Sequence, residues 1–191
     1  MILQHFLIDY NEVNSYIVGC EKSREAMLID AGKFDPRVTR FVGEIGYQLK
    51  IIYLTHGHWD HTDALEEYKQ AFPAAVSMGM ETGFYPPGYD LALLPGDELR
   101  IGEIAGPLYQ TTGHTDDSLT WHLPQYKMMF VGDAIFAGSI GGTKSDELKQ
   151  DLIGKIEKHI LSAPGDTELF SGHGPATIVE IEKRYNPILN A

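Results

Sequence analysis

The chain of 191 residues carries 43% hydrophobic residues and 20 glycines, the composition of one globular domain with a sizeable core rather than of a disordered or fibrous protein. A formal net charge of −12 and a pI near 5.0 would meet a nucleic-acid backbone with repulsion, which argues against a nuclease or any other nucleic-acid partner. Cys20 is the single cysteine, so no internal disulfide framework is expected; no apolar run approaches a membrane span and the start lacks an export signal, so a cytoplasmic, membrane-free protein is expected.

Taken in chain order, apolar runs predict strands at 2–8, 14–18 and 26–29. A helix follows, capped by Asp35 with Pro36 in its first turn and Val38, Phe41, Val42 and Ile45 as its buried stripe. KIIYLT, 50–55, reads as a buried strand, and DALEEYKQAF after it places Ala64, Leu65, Tyr68 and Phe72 at helical spacing. A short strand at 75–78 precedes FYPPGYD, 84–90, which reads as a surface turn with a loop over a pocket as the alternative. ELRI, GPLYQT, SLTWHL and YKMMFV are strand-like and separated by turn residues. A helix over SDELKQDLIGKIEKHIL aligns Leu148, Leu152, Ile156 and Ile160; TELFSG is a last strand and TIVEIEKRY a last helix. With no internal repeat or linker, this order predicts a single α/β domain of two sheets packed face to face with helices outside.

THGHWDH, 55–61, gathers three histidines and an aspartate between a strand and a helix, where open α/β sheets commonly bind ligands. Three later apolar runs also end in a side chain able to bind metal: YQTTGHTDDS at His114, MMFVGDAIF at Asp133 and ELFSGHGP at His173. Each alone has an ordinary explanation as a loop or turn residue. Together they supply five histidines and two carboxylates, more than one tetrahedral ion takes and enough for two. His56, His58 and His114 then serve one ion, Asp60, His61 and His173 the other, and Asp133 bridges them.

With these residues placed, the chain resembles the metallo-β-lactamase superfamily, whose T-H-x-H-x-D-H signature reads here as 55–61; LIDAG, TTGHTDDS, FVGDAIFAGSIG and SGHGP extend the resemblance over nearly the whole chain. The resemblance implies the four-layer αβ/βα sandwich of that fold. Within the superfamily the chain looks most like glyoxalase II, and GPATIVEIEKRYNP, 174–187, is similar to the ending of the short bacterial type. This implies hydrolysis of a small-molecule thioester such as a hydroxyacylglutathione by two divalent ions, zinc first with iron or manganese as alternatives. Asp60 and Asp133 would stand nearest the reaction, beside a hydroxide shared by the ions, and Asp30 would orient a ligand from behind. Family members carry a basic residue where this chain has Gly142, and Lys144 is the substitute expected to contact substrate.

A true β-lactamase is disfavoured because Asp133 stands where such enzymes use cysteine or serine, and diiron flavoproteins place glutamate where this chain has His58. A mononuclear iron persulfide dioxygenase and a lactonase are the alternatives, whereas a non-catalytic module would be expected to have lost ligands. His5, His122 and His159 read as surface or half-buried histidines, and Tyr53 and Trp59 as packing residues, with Trp59 as a possible pocket wall. Oligomeric state is not legible from the residues.

Overall fold

The computed structural model describes residues 1–9, 11–80 and 89–190. In chain order they form β1 (Ile2–Ile8), β2 (Val13–Cys20), β3 (Glu25–Ile29), α1 (Pro36–Glu44), β4 (Gln48–Tyr53), α2 (Trp59–Thr62), α3 (Leu65–Ala71), β5 (Val76–Met80) and β6 (Leu91–Leu93). The second half contains β7 (Glu98–Ile101), β8 (Ile104–Gln110), β9 (Leu119–Leu123), β10 (Met128–Gly132), β11 (Ile135–Phe136), β12 (Ser139–Ile140), α4 (Asp146–Lys155), β13 (Glu168–Ser171), β14 (Thr177–Ile178) and α5 (Val179–Tyr185). One six-stranded sheet has the order β1-β2-β3-β4-β5-β6, the other β14-β13-β10-β9-β8-β7, and β11 and β12 form a separate small hairpin.

Three apolar cores separate four layers. Side chains alternate across a strand, so in β2 Val13 and Ile17 face one core while Tyr16, Val18 and Cys20 face the next. The first core packs Val38 and Val42 of α1 and Leu65 and Tyr68 of α3 on the first sheet. The second lies between the sheets, where Tyr16 and Met27 meet Leu108, Trp121 and Phe130. The third packs Leu152 of α4, with Ile156 and Ile160 beyond it, on Met129, Val131 and Leu169 of the second sheet. This is the expected αβ/βα sandwich. Asp35 caps α1 as expected, its carboxylate accepting from Arg37 N at 2.8 Å.

Several elements differ from the sequence expectation. β6, β11 and β12 are two or three residues long, below the length at which alternation can be read. Thr177 and Ile178 do not open the last helix; they pair with Leu169 and Glu168 as an edge strand, which suits their β-branched side chains. α4 runs into a π turn over Ile156–Ile160. Of the expected loop at 84–90, only Tyr89 and Asp90 belong to the described residues; Asp90 accepts hydrogen bonds from Ser77 N and Oγ at 2.8 and 2.9 Å. Among the described residues no helix is long and apolar enough to cross a membrane.

Candidate metal centre

The two sheets meet along one edge, where backbone hydrogen bonds join Leu119 N to Thr55 O and Asn14 N to Gly172 O. Four chain segments leave their strands there. The one after β4 carries His56 and His58 and turns into α2 with Asp60 and His61; those after β8, β10 and β13 carry His114, Asp133 and His173. The seven side chains fall into two groups, His56, His58, His114 and Asp133, and Asp60, His61 and His173, each with its donor atoms within 4.8 Å of one another. Asp133 also reaches the second group, with Oδ1 3.4 Å from His61 Nε2 and Oδ2 3.6 Å from His173 Nε2. The fold therefore brings all seven candidate residues together and sets Asp133 against both groups.

The spacing fits divalent ions. Ligand atoms about 2.0–2.2 Å from a tetrahedral ion lie about 3.3–3.6 Å from each other. His173 Nε2 is 3.3 Å from Asp60 Oδ2, His61 Nε2 is 3.4 Å from His173 Nε2, and His114 Nε2 is 3.5 Å from Asp133 Oδ2. Among the described residues His56 Nε2 and Asp133 Oδ1 are buried with no hydrogen-bond partner, an arrangement costly for a polar atom unless a cation takes it up. The donor set is nitrogen and oxygen without sulfur, which suits zinc, iron or manganese.

Each ring is turned by what its other nitrogen meets. His61 Nδ1 lies 2.8 Å from Asp30 Oδ2, His114 Nδ1 2.7 Å from Gly142 O, His173 Nδ1 3.3 Å from Glu12 O and His56 Nδ1 3.1 Å from Thr55 Oγ1. Acceptors at Nδ1 leave Nε2 as the lone-pair nitrogen facing the centre. His58 is reversed, its Nδ1 lying 3.0 Å from His114 Nε2. Asp30, 1% exposed, also accepts from Thr55 N at 2.9 Å and Thr55 Oγ1 at 3.0 Å, so one carboxylate fixes the loop and a ligand together. Its φ of +60° is unusual for a residue with a side chain and aims the carboxylate at His61. Gly172 is required by close approach: a Cβ there would overlap Asp133 Oδ1 and the His61 ring.

Electrostatics divides the cluster by charge. Burial, then repulsion from His61, holds His56 well below the usual histidine range, and burial, then repulsion from His114, lowers His58. Burial opposes charge on His61 too, but Asp30 and Asp133 outweigh it and push His61 well above that range. Hydrogen bonding to Asp60 raises His173. Burial disfavours both carboxylates as anions, yet His173 and Asn11 hold Asp60 below the usual carboxylate range, and His61, His56 and His173 do so for Asp133. Two anionic carboxylates stand among rings whose Nε2 atoms face inward, and a cation that displaces the protons favoured on His61 and His173 meets nitrogen lone pairs and negative charge together.

Beside the first group a cleft of about 260 Å³ is lined by His58, His114, Thr115, Asp116, Asp117, Lys144 and Leu148. Lys144 is exposed at its rim, while Gly142 supplies a backbone carbonyl to His114 rather than a side chain to the cleft. Tyr53 packs as expected, fully buried with its hydroxyl on Leu119 O at 2.7 Å. Trp59 does not pack in the core: it is 53% exposed, between His58 and Asp60. His5, His122 and His159 lie outside both groups; His5 stacks on Tyr16 and His159 on Tyr109.

The loop between β1 and β2 was not anticipated as part of the centre. Asn11 Nδ2 donates to Asp60 Oδ2 at 2.6 Å, and Asn11 and Glu12 both adopt positive φ, 55° and 53°. Asn14 Nδ2 donates to Ser171 O and Gly174 O at 3.0 and 2.8 Å, tying β2 to the segment that carries His173. A legible signal was present: asparagine is depleted in strands, and Asn14 is the second residue of the wholly buried β2.

The sequence profile of the metallo-beta-lactamase superfamily matches residues 9–173. A hydroxyacylglutathione hydrolase of Methylobacterium sp. (strain 4-46) is 29% identical over 136 residues, covering 71% of this chain and 52% of that protein, so the chain spans about half the length of that relative. Hydroxyacylglutathione hydrolase GloC of Haemophilus influenzae is 29% identical over 192 residues, with 90% of each covered. The crystal structure of ETHE1 from Myxococcus xanthus superposes with a TM-score of 0.89 at 27% identity, covering 100% of this chain and 85% of that one.

Proposed function

The chain belongs to the metallo-beta-lactamase superfamily, and from that premise we propose that it is a binuclear metal-dependent hydrolase of thioesters, with hydroxyacyl thioesters of glutathione or a related thiol as its substrate class. The observation that carries this reading is the pair of complete ligand groups sharing the Asp133 carboxylate. Relatives titled hydroxyacylglutathione hydrolase support the substrate class. His56, His58, His114 and Asp133 would hold one ion and Asp60, His61, His173 and Asp133 the second, zinc in the first instance. Such ions supply Lewis acidity and a water acidified toward neutrality.

The chain's own residues supply the rest. Asp30, Thr55, Gly142 and Glu12 keep four imidazoles turned so that Nε2 carries the lone pair. Burial of His56, His61 and Asp133 lowers the local dielectric and strengthens each electrostatic contact. Lys144 at the cleft rim would meet an anionic group of the substrate. Asp60 lies below the usual carboxylate range and so carries no proton to give near neutral pH. A thiol leaving group, with a pKa of about 8.5, departs as thiolate without an acid, whereas an alkoxide wants a proton.

The test compares S-lactoylglutathione, its oxygen-ester analogue, a homoserine lactone and a β-lactam at fixed metal loading. The expected order is thioester first, lactone weak, alkyl ester slower than the thioester by orders of magnitude, and β-lactam negligible. A lactone turned over faster than every thioester would refute the substrate class. One iron per chain with oxygen consumed on adding a persulfide would replace the reading with that of a dioxygenase.

A further inference from the structure

The small hairpin of β11 and β12 begins and ends at the metal centre. Asp133 precedes β11; Gly141, after β12, lies against Asp133 and the His114 ring, and the Gly142 carbonyl accepts from His114 Nδ1. Two strands of two residues do not hold a shape on their own. The base of the hairpin is anchored, since Ile135 and Ile140 belong to the third core. Its tip at 137–139 is exposed and, among the described residues, adds nothing to the three apolar cores.

The tip is held instead from α5. Glu182, 1% exposed, accepts from Gly138 N at 2.9 Å and Asn186 Nδ2 at 2.8 Å on Oε2, and from Thr177 Oγ1 at 2.7 Å on Oε1. Asn186, also 1% exposed, donates a second hydrogen bond to Ser139 O at 3.0 Å. The three donors to Glu182 are neutral: an amide N–H, a carboxamide and a hydroxyl. Burying a carboxylate is costly, and the hydrogen bonds it gains fix geometry in return. They bind both sides of the hairpin tip to a helix packed on the third core through Val179.

From this arrangement we infer that Glu182, with Asn186, is a positioning residue for the metal centre: by holding the tip it sets the tilt of the hairpin, and so the placement of the Asp133 carboxylate and of the Gly142 carbonyl that turns His114. The inference rests on the metal-binding reading of the seven residues and not on the identity of the substrate. Its effect falls most on the group of His56, His58, His114 and Asp133, because both ends of the hairpin serve that group.

The experiment is a chelator-competition titration with zinc, and the absorption spectrum of the cobalt(II) form, for the full chain and four variants. Glu182→Ala and Asn186→Ala each release the tip, Glu182→Gln is the conservative variant, and Lys183→Ala is an exposed control on the same helix. A glutamine keeps the clamp, since its amide oxygen takes Gly138 N and Asn186 Nδ2 while its NH₂ group donates to Thr177 Oγ1. Expected for Glu182→Ala is a loss of about tenfold or more in affinity for one ion, the low end of what the partners behind metal ligands contribute, with a shifted cobalt band. Glu182→Gln should recover wild-type affinity within a few-fold, and Asn186→Ala should fall between. Wild-type affinities and an unchanged cobalt spectrum in folded Glu182→Ala, even with a lower melting temperature, would overturn the inference by leaving Glu182 a role in helix docking alone. Should that variant not fold, the same result in Asn186→Ala decides the matter. A wild-type chain that takes up no ion would remove the metal-binding reading itself, an outcome seen before any variant is compared.

Discussion

Asp30→Asn tests whether the carboxylate behind His61 sets its ligand nitrogen. Asparagine tolerates the φ of +60° observed at this position, so the backbone is not strained by the change. Its one oxygen can keep the bond from Thr55 N, now 2.9 Å long, but the NH₂ group must then face Thr55 Oγ1 and His61 Nδ1. The Thr55 hydroxyl can rotate to accept. His61 can adapt only by moving its proton to Nε2, the atom that faces Asp133 and His173. A charge-assisted hydrogen bond contributes about 1.5–3 kcal/mol, and each 1.4 kcal/mol is tenfold in affinity, so roughly 10–100-fold is expected from the ion at Asp60, His61 and His173, in line with substitutions behind metal ligands generally. The other group meets Asp30 indirectly, through Thr55 Oγ1, which can still accept from His56 Nδ1 after the change, so that group should keep its ion. The assay is a stepwise competition titration resolving two affinities. Equal weakening of both ions, or of neither, would refute the reasoning.

Two further outcomes are expected. Asp133→Asn should lower metal content and kcat together, because this carboxylate reaches both groups, while Lys144→Ala, at the exposed rim of the cleft, should raise KM for an anionic thioester with kcat nearly unchanged; elemental analysis with steady-state kinetics decides, and an unchanged KM would remove Lys144 from substrate binding. Chelation should also lower Tm: ions held at about a thousandfold above Kd stabilise by roughly 4 kcal/mol, or about 8–16 °C for a domain of this size, and calorimetric traces that coincide with and without chelator would contradict ion binding at the centre.

The layers of the fold were legible because each rests on an apolar run long enough to show its period, as in β2, β4 and α1. The seven candidate ligands were legible for a different reason: their chemistry is carried by the side chain itself, and each stands just past such a run. What orients them was not. Gly142 O and Glu12 O hold His114 and His173 through the backbone, and a carbonyl carries no residue-type signal. Asn11 meets Asp60 across 49 positions, a pairing that only the packed sheets create.

Two positions near the centre reverse the usual logic of burial, and both reversals have a physical source. In α5 the apolar Ile181 is 47% exposed while the acidic Glu182, on the face of the buried Val179, is 1% exposed. In α2 Trp59 is 53% exposed while its neighbours Asp60 and His61 are 6% and 0% exposed. A helix turned this way buries acid and leaves apolar surface in water, which costs stability at both faces. The cost is offset only where the buried polar groups are fully engaged, and here they are: Asp60 by Asn11 and His173, Glu182 by Gly138, Thr177 and Asn186. Local conflict between propensity and placement concentrates at functional sites because the surrounding contacts must compensate for it. The positive φ values at Asp30, Asn11 and Glu12 belong to the same pattern, since all three deliver a polar group to a candidate ligand: Asp30 to His61, Asn11 to Asp60 and Glu12 to His173.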